Sequence, residues 1–307
     1  MQGPRRRILL AALAALVVVF ACGRIGTDFG VWVVRGIGQR LAGNGTLSWQ
    51  NPEGVWSDIG VEDASRRAWS RRDAFLQVAW SEAAAGLALG DLYVRRAPDP
   101  RTVDIALIRV DPTKWTFSVV GHKDWSRRAV AAFAAEERFA VTVNASYFSK
   151  EGPLGLVVSG GESRNRQVAH RAAHFLVRDG TPHIVNQRKA DVSGASEAFQ
   201  GFPAIMSGGR TYAYMRVGGR GFDVWQVERR TAACVDRDGN VILLVTDTVL
   251  GGLSLDELAT ILGGLGCADA MGFDGGSSTG LAIRVGDVTR VVPNPEPVPV
   301  VLGVLAR

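Results

Sequence analysis

From about residue 100 onward, short apolar runs alternate with polar turns, and polar residues stand where the runs stop. Val103–Val110 and Thr116–Val120 have strand composition on either side of Asp111-Pro112-Thr113. Phe139–Val143 is a β-branched run that ends on Asn144-Ala145-Ser146-Tyr147-Phe148. Gly155–Ser159 predicts a strand, followed by a polar loop over Gly160–Arg166. Phe175–Val177 before Asp179-Gly180 predicts a strand and a turn, and Phe202–Met206 leads into Ser207-Gly208-Gly209. Glu228–Val235 and Val241–Thr246 flank Asp236–Asn240, which is a hairpin signal. The returning strand ends on Asp247.

Helical patterns are fewer. Ser254-Leu255-Asp256-Glu257 is a capping box that opens a helix over Leu255–Leu262, and Gly263, Gly264 and Gly266 close it. Asp124 or Ser126 can cap a helix from Arg127 to Glu137, and Ser65–Ala85 also has a helical pattern. Leu281–Val285 and Val298–Ala306 read as closing strands around a proline-rich loop. The expected fold class is α+β, a mixed β-sheet with flanking helices. Residues 92–307 form the main domain and residues 24–91 a tryptophan-rich extension, in which packing tryptophans are commoner than sugar-stacking ones. Trp49 and Trp56 flank a turn there.

The candidate chemistry gathers at the strand ends. Gly272-Phe273-Asp274-Gly275-Gly276-Ser277-Ser278-Thr279 places an acid, two glycines and three hydroxyls in succession. Glycines let a ligand approach the main chain, and nearby amides can donate to an anion. Asn144, Asp247 and Asp274 end strands and Arg230 leads one, which are rigid places to hang a site. Each also has a plainer reading, a turn or an ion pair. No Gly-x-Ser-x-Gly elbow, P-loop or HExxH motif is found, which argues against ordinary serine hydrolases, NTPases and zincins. His170 and His174 are four apart, but they fall at a strand entrance, which makes a metal role unfavoured.

Charge and cysteines change the picture modestly. The net charge of +5, from 35 basic and 30 acidic residues, is mild, and no basic stripe with interleaved aromatics points to nucleic acid. Arg5-Arg6-Arg7 precede an apolar run over residues 8–22, a secretory pattern. The expectation is export, periplasmic or membrane-anchored facing outward, with membrane attachment through residues 8–22 as the second form and lipidation at Cys22 the third. Cys234 and Cys267 are either a disulfide or two buried thiols.

Four motifs in order carry a resemblance. Phe273-Asp274-Gly275-Gly276-Ser277-Ser278 follows an apolar strand, and Gly252–Ala259 forms the helix before it. Arg230-Thr231-Ala232 opens a strand whose partner ends on Asp247, and Asn144–Phe148 lies upstream. From roughly Leu92 to the C-terminus the chain thus resembles the phosphodiester glycosidase family. It departs from the pattern at Ala145, Ser146, Thr248 and Ser277, where glycines are usual.

The resemblance implies an exported hydrolase that releases a sugar from a sugar-1-phosphodiester by C–O cleavage, with a sugar-phosphate or glycan as its substrate partner. In that reading Asp274 or Asp247 is the base or charge stabiliser and Arg230 holds phosphate. Asn144, Gly275, Gly276 and Ser277 orient the substrate, and Arg164 and Glu162 lie at the pocket rim. No cofactor is assigned with certainty, and apart from the resemblance the aspartates at strand ends could hold a divalent cation such as Ca²⁺. Two other readings stand beside it: a non-catalytic envelope glycan-binding or polysaccharide-assembly protein, and a metal-dependent phosphodiesterase.

Overall fold

Ile105 and Leu107 enter one hydrophobic core, while Ala106, Ile108 and Val110, which alternate with them, enter another. Successive side chains of a strand point to opposite faces, so this strand is buried on both. Ile242 and Leu244 alternate with Val241, Leu243 and Val245 between the same two cores. That double burial explains why both segments read as continuous apolar runs.

The computed structural model describes residues 46–61, 68–69, 74–96, 101–169, 173–211, 226–248 and 251–307. Its first strands are β1 (Thr46–Gln50), β2 (Trp56–Gly60), β3 (Ser81–Ala84), β4 (Leu87–Arg96) and β5 (Thr102–Val110). β6 (Trp115–Val120) and helix α1 (Val130–Glu136) precede β7 (Val141–Asn144). A small hairpin of β8 (Phe148–Ser149) and β9 (Gly152–Pro153) follows. Next come β10 (Val157–Ser159), β11 (Glu162–Asn165), β12 (Ala173–Arg178), β13 (Thr181–Val185) and β14 (Ala195–Gly201). β15 (Ala204–Ser207), β16 (Arg210–Thr211), β17 (Thr231–Asp236) and β18 (Val241–Thr246) lead to helix α2 (Leu255–Gly264). β19 (Cys267–Gly272), a short 3-10 turn (Gly276–Ser278), β20 (Leu281–Val285), β21 (Val288–Val292) and β22 (Val301–Ala306) complete the chain.

Besides the β8–β9 hairpin, the described residues form three antiparallel sheets. The ten-stranded sheet runs β16-β15-β19-β17-β18-β5-β4-β1-β2, with β3 also on β4. A five-stranded sheet runs β21-β20-β7-β22-β6, and a second runs β11-β10-β14-β12-β13. All three contribute to one core, where Phe175 and Phe199 stack and Phe273 meets Phe199 edge-on. Helix α2 covers the opposite face of the large sheet through Leu258, Ile261 and Leu262, beside Trp49 and Trp69. Its capping box is formed as expected, with Ser254 Oγ accepting from Glu257 N and Ser254 N donating to Glu257 Oε2.

The fold is mostly β, which corrects the α+β expectation of a helix-flanked sheet. Among the described residues there are two α-helices, and the large sheet is covered on one side by other sheets. Of the helix expected over Ser65–Ala85, residues 74–80 are not helical and Ser81–Ala84 form β3, while 65–67 and 70–73 lie outside the described residues. Helix α1 begins at Val130, not at Arg127. Asp124 accepts from Ser126 N within a turn, so neither residue caps it. The polar stretch 160–166 contains strand β11. β1 to β4 continue the large sheet across residue 92, with β4 paired to β5 along its length. Trp49 and Trp69 are buried packing residues, while Trp56 and Trp80 lie beneath Arg95 and Arg109. Cys234 and Cys267 are disulfide-bonded, with Cα atoms 5.8 Å apart, between β17 and the start of β19.

His174 is fully buried in β12, with Nε2 beside Gln167 Nε2 and Nδ1 beside Val185 O. Its partner in the sequence pattern, His170, lies outside the described residues. Burial depresses the His174 pKa below its ordinary value, and the Val185 carbonyl opposes that in part. The native state therefore holds fewer protons than the unfolded chain, so this stability is present above about pH 6.5 and falls as pH drops below it. Melting temperature is expected to decline from pH 7 toward pH 5.5, and His174→Gln should flatten that slope. An unchanged slope in the variant would remove His174 as its cause.

Candidate active site

The register of the large sheet brings the candidate residues to one end of it. Gly272, Ala232, Leu244 and Leu107 form one cross-strand row. Two residues further on lie Asp274, Arg230, Thr246 and Ile105; one more step reaches Asp247 and Asp104. Asn144 arrives at the same place from the end of β7 in a different sheet.

Asn144 is fully buried. Its Nδ2 donates to Asp274 O at 2.7 Å, and its Oδ1 accepts from Thr231 Oγ1 at 2.7 Å and Gly280 N at 3.1 Å. Asp274 N donates to Ala145 O, so the β7 exit holds the Asp274 main chain from both sides. The Asp274 residue itself is half-buried, and its Oδ1 accepts from Gly275 N at 3.1 Å. Gly276 N donates to Arg229 O. The amides of Gly275 and Gly276 thus serve the turn itself. Gly276 has φ +65°, in the left-handed region that glycine takes readily. Ser277 is exposed, and its hydroxyl donates to Glu296.

Arg230 is buried beneath this turn. Nε donates to Leu253 O at 2.9 Å and Nη2 to Gln226 O at 2.6 Å, while Nη1 lies 3.9 Å from Glu228 Oε2. Burial lowers its pKa, with Tyr147, Glu228 and Glu257 opposing the shift. A guanidinium is effectively always protonated in proteins, so Arg230 is a fixed cation here. Gly252 is obligatory next to it: a Cβ there would stand 1.9 Å from Glu228 O, at φ +141°.

Asp247 is differently occupied. Its Oδ2 accepts from Arg290 Nη2 at 2.8 Å and Nε at 3.2 Å, and Arg290 also donates to Asp91. Burial works against the Arg290 charge, but its bonds to Asp247 and Asp91 outweigh that and raise its pKa. Asp104 beside them is raised by burial and then by the charges of Asp247 and Asp91, with Arg290 opposing. Arg229 is lowered by burial, with Asp247 opposing. Among the described residues, no three His, Cys, Asp or Glu side chains gather as a metal site.

Arg164 and Glu162 lie on β11. Arg164 donates to Gly121 O and lies 4.9 Å from the Trp125 ring centroid, and Glu162 is exposed at a hairpin. Glu228 and Arg290 belong to this end of the sheet, and the sequence reading passed over both as site residues. The run Val288-Thr289-Arg290-Val291-Val292 has no alternation that marks Arg290 as a site residue. Glu228, two residues before Arg230, offered no signal either.

A family model described as phosphodiester glycosidase matches residues 137–305, more than half of the 307-residue chain. The chain belongs to the phosphodiester glycosidase family. The matched segment contains Asn144, Arg230, Asp247 and Asp274. The catalytic domain of zebrafish N-acetylglucosamine-1-phosphodiester alpha-N-acetylglucosaminidase, solved auto-inhibited by its pro-peptide, shares this phosphodiester glycosidase fold. It aligns at TM-score 0.61 and 18% identity over 78% of this chain and 87% of that one. A hypothetical protein from Synechocystis aligns at TM-score 0.60 and 18% identity over 75% of this chain. This chain spans 64% of the Synechocystis protein, less than two thirds of it. No curated protein matches the chain significantly.

Proposed function

We propose that this phosphodiester glycosidase hydrolyses a sugar-1-phosphodiester at the C–O bond, releasing the sugar and a phosphate monoester. The observation that carries the reading is the Asp274 turn: a half-buried carboxylate on a pinned backbone, beside a buried arginine. In the reaction water oxygen bonds to the anomeric carbon, and the phosphate oxygen leaves with the C–O electron pair. A phosphate monoester has its second pKa at about 6, so it leaves as an anion without a strong general acid. What remains to be supplied is a carboxylate to take the water proton or steady the oxocarbenium charge, plus a fixed positive field.

Asp274 is assigned the first role because its main chain is pinned by Asn144 and Ala145 at the turn that borders Arg230. Arg230 supplies the field from a fixed position. Its fork is held by two carbonyls, which favours long-range stabilisation over bidentate capture of phosphate. Glu228 flanks the turn, its Oε2 3.8 Å from where a Gly276 Cβ would stand. Glu228→Gln is expected to lower turnover about tenfold or more without a change in melting temperature. Unaltered kcat would remove it from the site. Export is proposed from the Arg5–Arg7 and apolar 8–22 pattern, which lies outside the described residues. No helix among the described residues is long and apolar enough to cross a membrane.

The test incubates the full-length chain with UDP-N-acetylglucosamine and a set of sugar-1-phosphodiesters, in heavy-oxygen water, with and without EDTA. Label in the released sugar and persistence in EDTA are the expected results. Label in phosphate would favour the metal-dependent phosphodiesterase, and saturable binding without product the glycan-binding protein.

A further inference from the structure

Arg230 approaches the Asp274 turn at Gly275, with Nη1 3.7 Å from where a Cβ would stand. Two residues on, the exposed Ser277 meets a different group. Its Oγ donates to Glu296 Oε2 at 3.0 Å, and Glu296 N donates to Ser277 O at 3.1 Å. The other oxygen of that carboxylate, Oε1, lies 3.8 Å from Arg127 Nη1. This is ion-pair range but beyond hydrogen-bond distance, so a donor and an acceptor stand side by side without bonding one another. Both side chains are partly exposed, which leaves the pair open to a ligand.

Both groups are held in place. The Arg127 guanidinium lies over the Phe148 ring, 4.5 Å from its centroid, and its Nη2 donates to Ser149 O at 2.6 Å. Beside it, Arg128 and Val298 exchange main-chain bonds at 3.0 and 2.9 Å. Asn294 Oδ1 accepts from Val130 N, and Asn294 Nδ2 donates to Glu296 O. The segments that carry Arg127 and Glu296 are thus tied together on both sides, as directional recognition requires.

The chemistry of the pair selects its ligand. A hydroxyl both donates and accepts, so two neighbouring hydroxyls of a sugar ring can donate to Oε1 and accept from Nη1 together. A phosphoryl anion suits the pair poorly. It would set a like charge against Glu296, and the Arg127 charge already acts on two carboxylates, Glu296 and Glu151.

We propose that Arg127 and Glu296 bind neighbouring hydroxyls of the released sugar and so determine which sugar is accepted. This role rests on the reaction proposed above for Asp274. With phosphate drawn toward Arg230 at Gly275, the sugar falls on the Ser277 side of the turn.

Every neighbouring pair of ring hydroxyls on a hexopyranose includes the one on C2 or the one on C4. UDP-glucose, UDP-N-acetylglucosamine and UDP-galactose differ at those carbons and are the probes, used with the full-length chain. In Glu296→Gln and Arg127→Gln, with unchanged melting curves, kcat/KM for the preferred probe relative to the other two is expected to fall at least about tenfold. A loss shared equally by all three probes would make the pair structural and overturn the proposal. Binding is read without turnover by saturation-transfer NMR on Asp274→Asn. Transfer to the sugar ring protons is expected there, and adding Glu296→Gln should reduce it. No transfer to any of the three sugars would overturn the proposal whatever the activity assay shows. Transfer present while the wild type releases no sugar would instead overturn the glycosidase reading and leave the sugar site standing.

Discussion

Asp274→Asn is expected to lower kcat by about two to three orders of magnitude while the protein stays folded. The variant keeps the main-chain N and O that bond Ala145 and Asn144, so the turn remains anchored. It also keeps an oxygen able to accept from Gly275 N, in place of Oδ1. What it loses is the negative charge, and with it the capacity to take a proton from water or steady a cationic anomeric carbon. Asp247→Asn provides the contrast. Asp247 accepts from Arg290 at a site about a third exposed, where an ion pair contributes little. It also stands one residue beyond the Asp274 row, and its removal should cost turnover less than about tenfold. Steady-state kinetics on the phosphodiester substrate, with melting curves beside them, separate the two. Asp274→Asn with more than a tenth of wild-type kcat, or Asp247→Asn as the more damaging change, would reverse the assignment.

Local signals survived folding well, and long-range ones did not. The hairpin of β17 and β18 and the capping box of α2 each depend on residues close in sequence, and both stand where the pattern placed them. The expectation of flanking helices failed for a different reason. An apolar strand does not reveal what covers its faces, and here the cover on one side of β5 and β18 is made of other sheets. The same blindness acted at the site. Asn144, Arg230 and Asp274 were legible as candidates because each stands at the end or the start of a strand, Asn144 in a different sheet from the other two. Arg290 was not, because it stands within β21 and reaches Asp247 across 43 residues of chain.

The roles of individual residues were harder still to read, and Asn144 shows why. The pattern offered it as a substrate-orienting group, but its amide is enclosed by Asp274 O, Thr231 Oγ1 and Gly280 N. Asn144→Asp is therefore expected to act on stability first. The substitution puts an oxygen where Nδ2 donates to Asp274 O, and places a charge at a fully buried position. An uncompensated buried charge costs about 3–5 kcal/mol. For a chain of this size that corresponds to a melting temperature lower by roughly 6–20 °C. Thr231→Val removes one of the three contacts and leaves the charge balance alone, so about 1 kcal/mol is expected. The pH dependence distinguishes charge from shape. Burial raises the pKa of the introduced carboxyl, and only its protonated form can donate to Asp274 O. The native variant then binds a proton that the unfolded chain releases, so its deficit should shrink as pH falls and widen as pH rises. A variant as stable as the wild type at pH 8, or one whose deficit does not change with pH, would show that Asn144 is not the buried donor holding the Asp274 turn in place.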